Sequence, residues 1–244
     1  MAQPLALTRV LNDIFAGPVD GLLNMVGVHP RHPAAPITDA FALELLIAAL
    51  LLAFFVVVRL TLSVEKPKPA QQFAEMIHEF VGGQADQIIG HGYERFQSFA
   101  TIVFVFILSC NLIGLVPGVN SPTELETVTL ALATATFFYY NFYGFKEQGF
   151  VGYLKHFAGP VWWLAPLIFP VEIISNLARV MSLSVRLYAN MFAGGLVTLV
   201  FFSLVPVGVP VVFLGLHLLV SIIQAFVFTL LVLIYLSMAV AHEH

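Results

Sequence analysis

Charge is what this sequence has least of. Asp, Glu, Lys and Arg make up 10% of its 244 residues, where soluble domains carry about a quarter. That scarcity excludes an ordinary soluble fold. Ten basic residues stand against 14 acidic ones, and no basic block interrupts the chain. A nucleic-acid partner is therefore not expected. The single cysteine, Cys110, sits inside an apolar run, so no intrachain disulfide is possible. The start of the chain lacks a basic segment followed by an apolar core and a small-residue cleavage site, so no removable signal peptide is expected. No G-x-x-x-x-G-K-[ST] phosphate loop is present, so no nucleotide is expected to bind directly. His242 and His244 close the chain as a solvated tail without a preorganised site. Neither a metal nor another cofactor is expected.

What is abundant is apolar length. Hydrophobic residues make up 59% of the chain and the mean hydropathy is +0.93. Several runs reach the roughly 20 residues that a spanning helix needs, and none alternates like a barrel strand. The expected fold is an all-α integral membrane protein in the lipid bilayer. It should have about five membrane-crossing helices and one amphipathic helix on the surface.

Residues 1–40 read as a mixed tail broken by Pro30, Pro33 and Pro36. Residues 41–162 hold the first spans, at 41–62, 96–115 and 128–145. Between the first two, residues 71–89 place Phe73, Ile77, Phe80 and Ile88 at helical spacing, with Glu75, Glu79 and Asp86 opposite. That pattern suits a helix lying on the membrane surface. Residues 163–240 form two long apolar segments divided by Pro206, Gly208 and Pro210. They are too long to cross about 30 Å of hydrocarbon upright, and are expected to tilt strongly as a hairpin. A short tail, 241–244, follows. Trp162 and Trp163 should sit at the membrane interface.

Lys66, Lys68, Arg95, Lys146 and Lys155 follow the first and third spans, while the amino-terminal tail carries only Arg9 and Arg31. Positive charge marks the cytoplasmic side. The amino terminus should therefore face outward and the carboxyl terminus inward.

Charge inside a span is costly, about 2.5–3.5 kcal/mol on insertion scales. Glu172, Arg179 and Arg186 nevertheless recur every seven residues in the first long segment, and Ser175, Asn176, Ser182 and Asn190 share their side. His217, Ser221, Gln224 and Tyr235 share one face of the second. Antiparallel packing would let the stripes meet, with a contact between Arg186 and Gln224 as a reasonable outcome. A guanidinium stays protonated, so Arg186 cannot carry a proton. It can lower the pKa of a nearby carboxylate by about 1–3 units. Ser182, Ala189 and Ala193 beside it are small, which lets another helix approach. No carboxylate stands near it in sequence, so the expected partner is on another chain.

Each of these residues also has a plainer reading. Arg186 could hold a bundle together through a salt bridge. Glu172 and Arg179 could be a polar face toward interface water. His217, Asn190, Ser182 and Gln224 could be helix contacts. A secondary transporter would show broken helices and an inverted repeat, and neither is visible. A voltage sensor would need several regularly spaced arginines.

The run PVEIISNLARVMSLSVRLYANMFAG, Pro170 to Gly194, resembles the signature segment of the subunit a family of F-type ATP synthases. The ending HLLVSIIQAFVFTLLVLIYLSMAVAHEH is similar to that family's carboxyl terminus, and CNLIGLVPG, Cys110 to Gly118, resembles a less specific family motif. The resemblance implies ion translocation, with protons as the ion, coupled to ATP synthesis. Its expected partners are a c-ring of small hairpin subunits and peripheral-stalk b subunits, in a bacterial inner membrane or alternatively an organelle membrane. It implies that Arg186 is the essential stator charge facing the ring carboxylate, with Gln224 beside it. Glu172 and Ser182 would line a path to the cytoplasm, and Asn190 and His217 a path to the outside. Asn176, Arg179, Ser221 and Tyr235 are further candidates.

Three positions depart from the family pattern. Gly195 stands where many relatives carry an acidic residue or a histidine paired with the residue matching His217. Val180 stands where proline is frequent, and Thr127 where asparagine is. The outer path is then expected to rely on water and on Glu124 or Glu126 near its mouth.

Overall fold

The computed structural model describes residues 6–25, 35–116, 119–158, 163–204 and 208–240. Trp162, His242, His244 and most of the Pro206 turn lie outside that set. Among the described residues every regular element is helical. Two compact units divide the chain, Met1–Val56 and Val57–His244.

The first unit holds α1, Ala6–Met25, and most of α2, Asp39–Leu60. Part of the segment read as a tail is thus a 20-residue helix, with Pro18 inside it. Asn12 ties α1 to the residues before α2. Its Nδ2 donates to the Ile37 carbonyl at 3.0 Å, and its Oδ1 accepts from the Ile37 N–H at 3.0 Å. Thr8 also donates to Asp39 at 2.5 Å.

The second unit begins with α3, Pro69–Ile89. Pro69 suits a first helical position, where its missing N–H costs no hydrogen bond. Of the expected apolar face, Ile77 and Ile88 turn into the core with Val81 and Ala85, while Phe73 and Phe80 remain exposed. Next come α4, Glu94–Ile113, and the short 3-10 turn Pro122–Glu124. Helix α5 runs Glu126–Ala158, with a break at Gly149, whose φ of 71° suits glycine. Helices α6, Ala165–Leu204, and α7, Val209–Val240, complete the unit.

Among the described residues four helices are long and apolar enough to span a membrane: α2, α4, α6 and α7. The fifth expected span, within α5, is long enough but too polar to qualify on composition. Its Thr129, Thr136 and Tyr140 are buried against protein, so these polar groups need not face lipid.

At 1.5 Å per residue the 40 residues of α6 run for about 60 Å, and the 32 of α7 for about 48 Å. Both exceed a bilayer core. Helix α6 also carries Pro170 inside it, five residues after its start. A proline is tolerated inside a membrane helix because its surroundings can re-satisfy the freed carbonyl.

Helices α4, α5, α6 and α7 pack around Phe96, Ile107, Leu187, Met191, Leu233 and Leu236, all fully buried. Burial of a side chain of this size contributes about 1.5–3 kcal/mol in water-transfer terms. Inside lipid, packing contacts supply the corresponding preference. Much of α6 is left bare. Ile174, Leu177, Met181, Val185 and Phe192 are all 40% exposed or more.

Candidate functional site

Near the midpoint of α6, Arg186 points to the exposed side of the helix. Ser182, Ala189 and Ala193 are exposed with it, leaving a shallow strip that a neighbouring helix can approach. No hydrogen bond or ion pair joins Arg186 to any described residue. The salt bridge of the plain reading is therefore not made among the described residues. No hydrogen bond joins Arg186 to Gln224 among the described residues, and Gln224 is buried at 8% exposure.

Two polar clusters flank Arg186 along α6. The first begins one heptad before it. Glu172 and Arg179 form an ion pair, Oε1 to Nη2, at 3.7 Å. The Arg179 guanidinium also lies 5.5 Å from the centre of the Tyr235 ring on α7, a cation–π distance. Asn176 is buried between helices. Its Oδ1 accepts a short hydrogen bond from the Tyr140 hydroxyl, and its Nδ2 donates to Asn141 Oδ1 at 3.4 Å. Ser182 caps this side, donating to the Arg179 carbonyl at 3.0 Å. The helical repeat anticipated Glu172 and Arg179 beside each other, whereas Asn176 is buried between helices and Ser182 is exposed. It missed Tyr140 and Asn141, although polar side chains within a span were the available signal.

The second cluster surrounds a cavity of about 270 Å³ beyond Arg186. Its titratable lining groups are Glu124 and His217. His217 is buried at 4% exposure, and its Nε2 has no hydrogen-bond partner among the described residues. Glu124 arrives from the 3-10 turn rather than from a long helix. Burial pushes its carboxyl above the usual 4.5, with a backbone hydrogen bond at Ser121 offsetting part of the rise. Glu126 is exposed and does not line the cavity, so the two candidate loop acids are not equivalent. Asn190 is half-buried on α6 and also lies outside the lining.

Ser221 is fully buried, one turn along α7 from His217. Its hydroxyl lies 3.9 Å from Met191 Sδ, and its carbonyl accepts from Asn111 Nδ2 at 3.1 Å. Asn111 Oδ1 in turn accepts from Thr123 at 2.7 Å. The sequence motif containing Asn111 was noticed, but this bridge from α4 to the turn and α7 was not.

The chain from Phe41 to Ser237 matches the family model described as ATP synthase A chain. Over its full 244 residues it is 50% identical to "ATP synthase subunit a" of Koribacter versatilis, with both chains covered completely. It is 43% identical over 235 residues to the protein of that name in Solibacter usitatus, covering 96% of this chain and all of that one. Bdellovibrio bacteriovorus has another at 44% identity over 181 residues, covering 72% and 79%. An all-helical bundle with a lone outward arginine between two polar clusters, and a match that takes in both clusters, lead to one conclusion: this chain belongs to the ATP synthase A chain family, as a multi-pass, proton-translocating subunit of the ATP synthase membrane sector.

Proposed function

We propose that the chain conducts protons through two offset half-channels, separated by Arg186, onto and off a carboxylate carried by a ring of small hairpin subunits. The observation that carries this reading is the placement of Arg186. It is exposed, has no partner among the described residues, and lies between two polar clusters on the same helix. By helical rise it is about 10 Å along the axis from Arg179 and about 14 Å from Gly195.

A permanent cation in that place favours an ionised carboxylate on the partner. It also opposes direct passage of a proton between the two clusters. A proton entering through one cluster neutralises the carboxylate, which can then turn through lipid. After nearly a full turn it reaches the other cluster and releases the proton. Rotation is thereby tied to protonation, and ATP chemistry is left to other subunits of the complex. Peripheral-stalk b subunits would hold the chain still against the ring.

The Glu172 cluster serves the cytoplasmic path and the His217 cluster the outer one. If α5 crosses along with the four apolar helices, the Lys and Arg residues after α2 and α5 fall on the cytoplasmic side. The amino terminus is then outside and the carboxyl terminus inside the bacterial inner membrane.

ATP-driven acidification of inverted membrane vesicles tests the reading, comparing the native chain with Arg186→Ala at equal assembly. Pumping is expected to be lost while the complex stays intact. Native-level pumping would make Arg186 a structural residue and end this proposal.

A further inference from the structure

Gly195 does more than leave the helix bare. A Cβ built on it would lie 2.6 Å from Glu124 Oε1, and one built on Gly194 would lie 2.7 Å from His217 Nδ1. Two adjacent glycines on α6 therefore each receive a titratable side chain, one from the 3-10 turn and one from α7. Their Cα atoms are 3.8 Å apart, as in any trans peptide. Both side chains line the same cavity, which is large enough to hold several waters.

The turn that brings Glu124 is itself held by buried polar contacts. Ser121 and Thr123 are 1% and 0% exposed. Thr123 donates to Asn111 at 2.7 Å, and Ser121 donates to the Cys110 carbonyl at 2.7 Å. The two hydroxyls lie 2.6 Å from each other. Asn111 then reaches the Ser221 carbonyl, one helical turn from His217. A loop acid tied down in this way has a fixed position. An unanchored loop acid would not.

We propose that Glu124 is the proton-carrying acid of the outer path, seated in the notch that Gly195 leaves open and exchanging protons with His217 through the cavity. Asn111, Ser121 and Thr123 are its positioning residues. The acid on this side of the chain is thus supplied by a turn, and Gly195 is required as its seat. The raised protonation range of Glu124 agrees with an acid that takes up and gives back a proton. The proposal rests on the half-channel reading above.

The experiment is ATP-driven acidification in inverted vesicles, with assembly judged by the chain recovered with the intact complex. Glu124→Gln is expected to lower pumping by about 100-fold, the lower end of what a positioned proton-transfer group contributes. Gly195→Ala should lower it as well. The new methyl meets only the end of a flexible carboxylate, which can swing away without unfolding the bundle. The double variant Glu124→Ala with Gly195→Glu returns an acid to the same place from α6, and should recover most of the activity.

Native-level pumping by Glu124→Gln would overturn the proposal. Loss that the relocated acid does not repair would overturn the shared seat. Arg186→Ala, measured in the same preparations, separates the two levels. If that variant pumps normally, the half-channel reading fails whatever Glu124 does. If it does not pump while Glu124→Gln does, only the outer acid has been misassigned.

Discussion

On the Glu172 side of Arg186, acid and base stand on one helix, seven residues apart, and pair with each other at 3.7 Å. On the His217 side the acid comes from a turn, the imidazole from another helix, and α6 contributes no titratable group, only glycines against both side chains and the lining residues Thr198, Leu199 and Phe202. The first cluster is closed, with charge neutralised inside the chain. The second is open, with a buried imidazole nitrogen left without a partner among the described residues, beside a cavity of about 270 Å³. A closed cluster can lose one member and keep its shape. An open one depends on how precisely a few groups are held, so its weak points lie in its supports.

The largest effect expected from breaking this comparison is therefore at a support. Asn111→Ala removes two buried hydrogen bonds and leaves a void. Loss of about 3 kcal/mol is expected from unsatisfied partners and missing contacts together. It should be read as a lower thermal midpoint of the purified complex. An unchanged midpoint would mean that the turn is held by something other than this network.

Tyr140→Phe on the closed side should cost about 1 kcal/mol, the usual net worth of one buried hydrogen bond. Pumping should fall only a few-fold, because Asn176 keeps its second contact with Asn141. Complete loss of pumping would promote Tyr140 from support to participant. Glu172→Gln should cost less still, under about 1 kcal/mol, since the pair is partly exposed and screened. A larger destabilisation would show the closed cluster to be more strained than it looks.

The smallest expected effect is a pH dependence on the open side. Burial raises the folded Glu124 carboxyl above 4.5, so folding favours its protonated form. Its stabilising contribution is complete below the ordinary value and is lost as pH rises through the raised one. Stability of the native complex should therefore fall across that window relative to Glu124→Gln. Parallel pH curves for the two would remove burial as the cause.

The charged pair of the closed cluster was readable because Glu172 and Arg179 share one helix. A seven-residue repeat drifts only about 20° per step, so Glu172, Arg179 and Arg186 had to lie on one face. The outer cluster was not readable to the same degree, because it is assembled across elements. Glu124 and Glu126 look alike in sequence, and only the packing of a three-residue turn makes one half-buried and the other exposed.

Gly195 illustrates the same limit. Its departure from the family pattern was visible, but the side chain that fills its place was decided by tertiary approach. Among the helices, long apolar runs announced α2, α4, α6 and α7. Helix α5 was expected too, but its polarity is explained only by the protein surface it packs against. Helix α1 went unseen because prolines nearby suggested a tail, while its anchoring comes from Asn12 and Ile37 at a separation of 25 residues.

The central claim is that Arg186 keeps the two clusters apart. Passive proton conductance tests it most directly, measured in vesicles whose membrane sector has been stripped of its catalytic head. Native chain and Arg186→Ala would be compared at equal assembly. Arg186→Ala is expected to conduct protons down an imposed gradient faster than the native chain, because the barrier between the paths is gone. Conductance no higher than native, in a variant that still assembles with the ring, would contradict it.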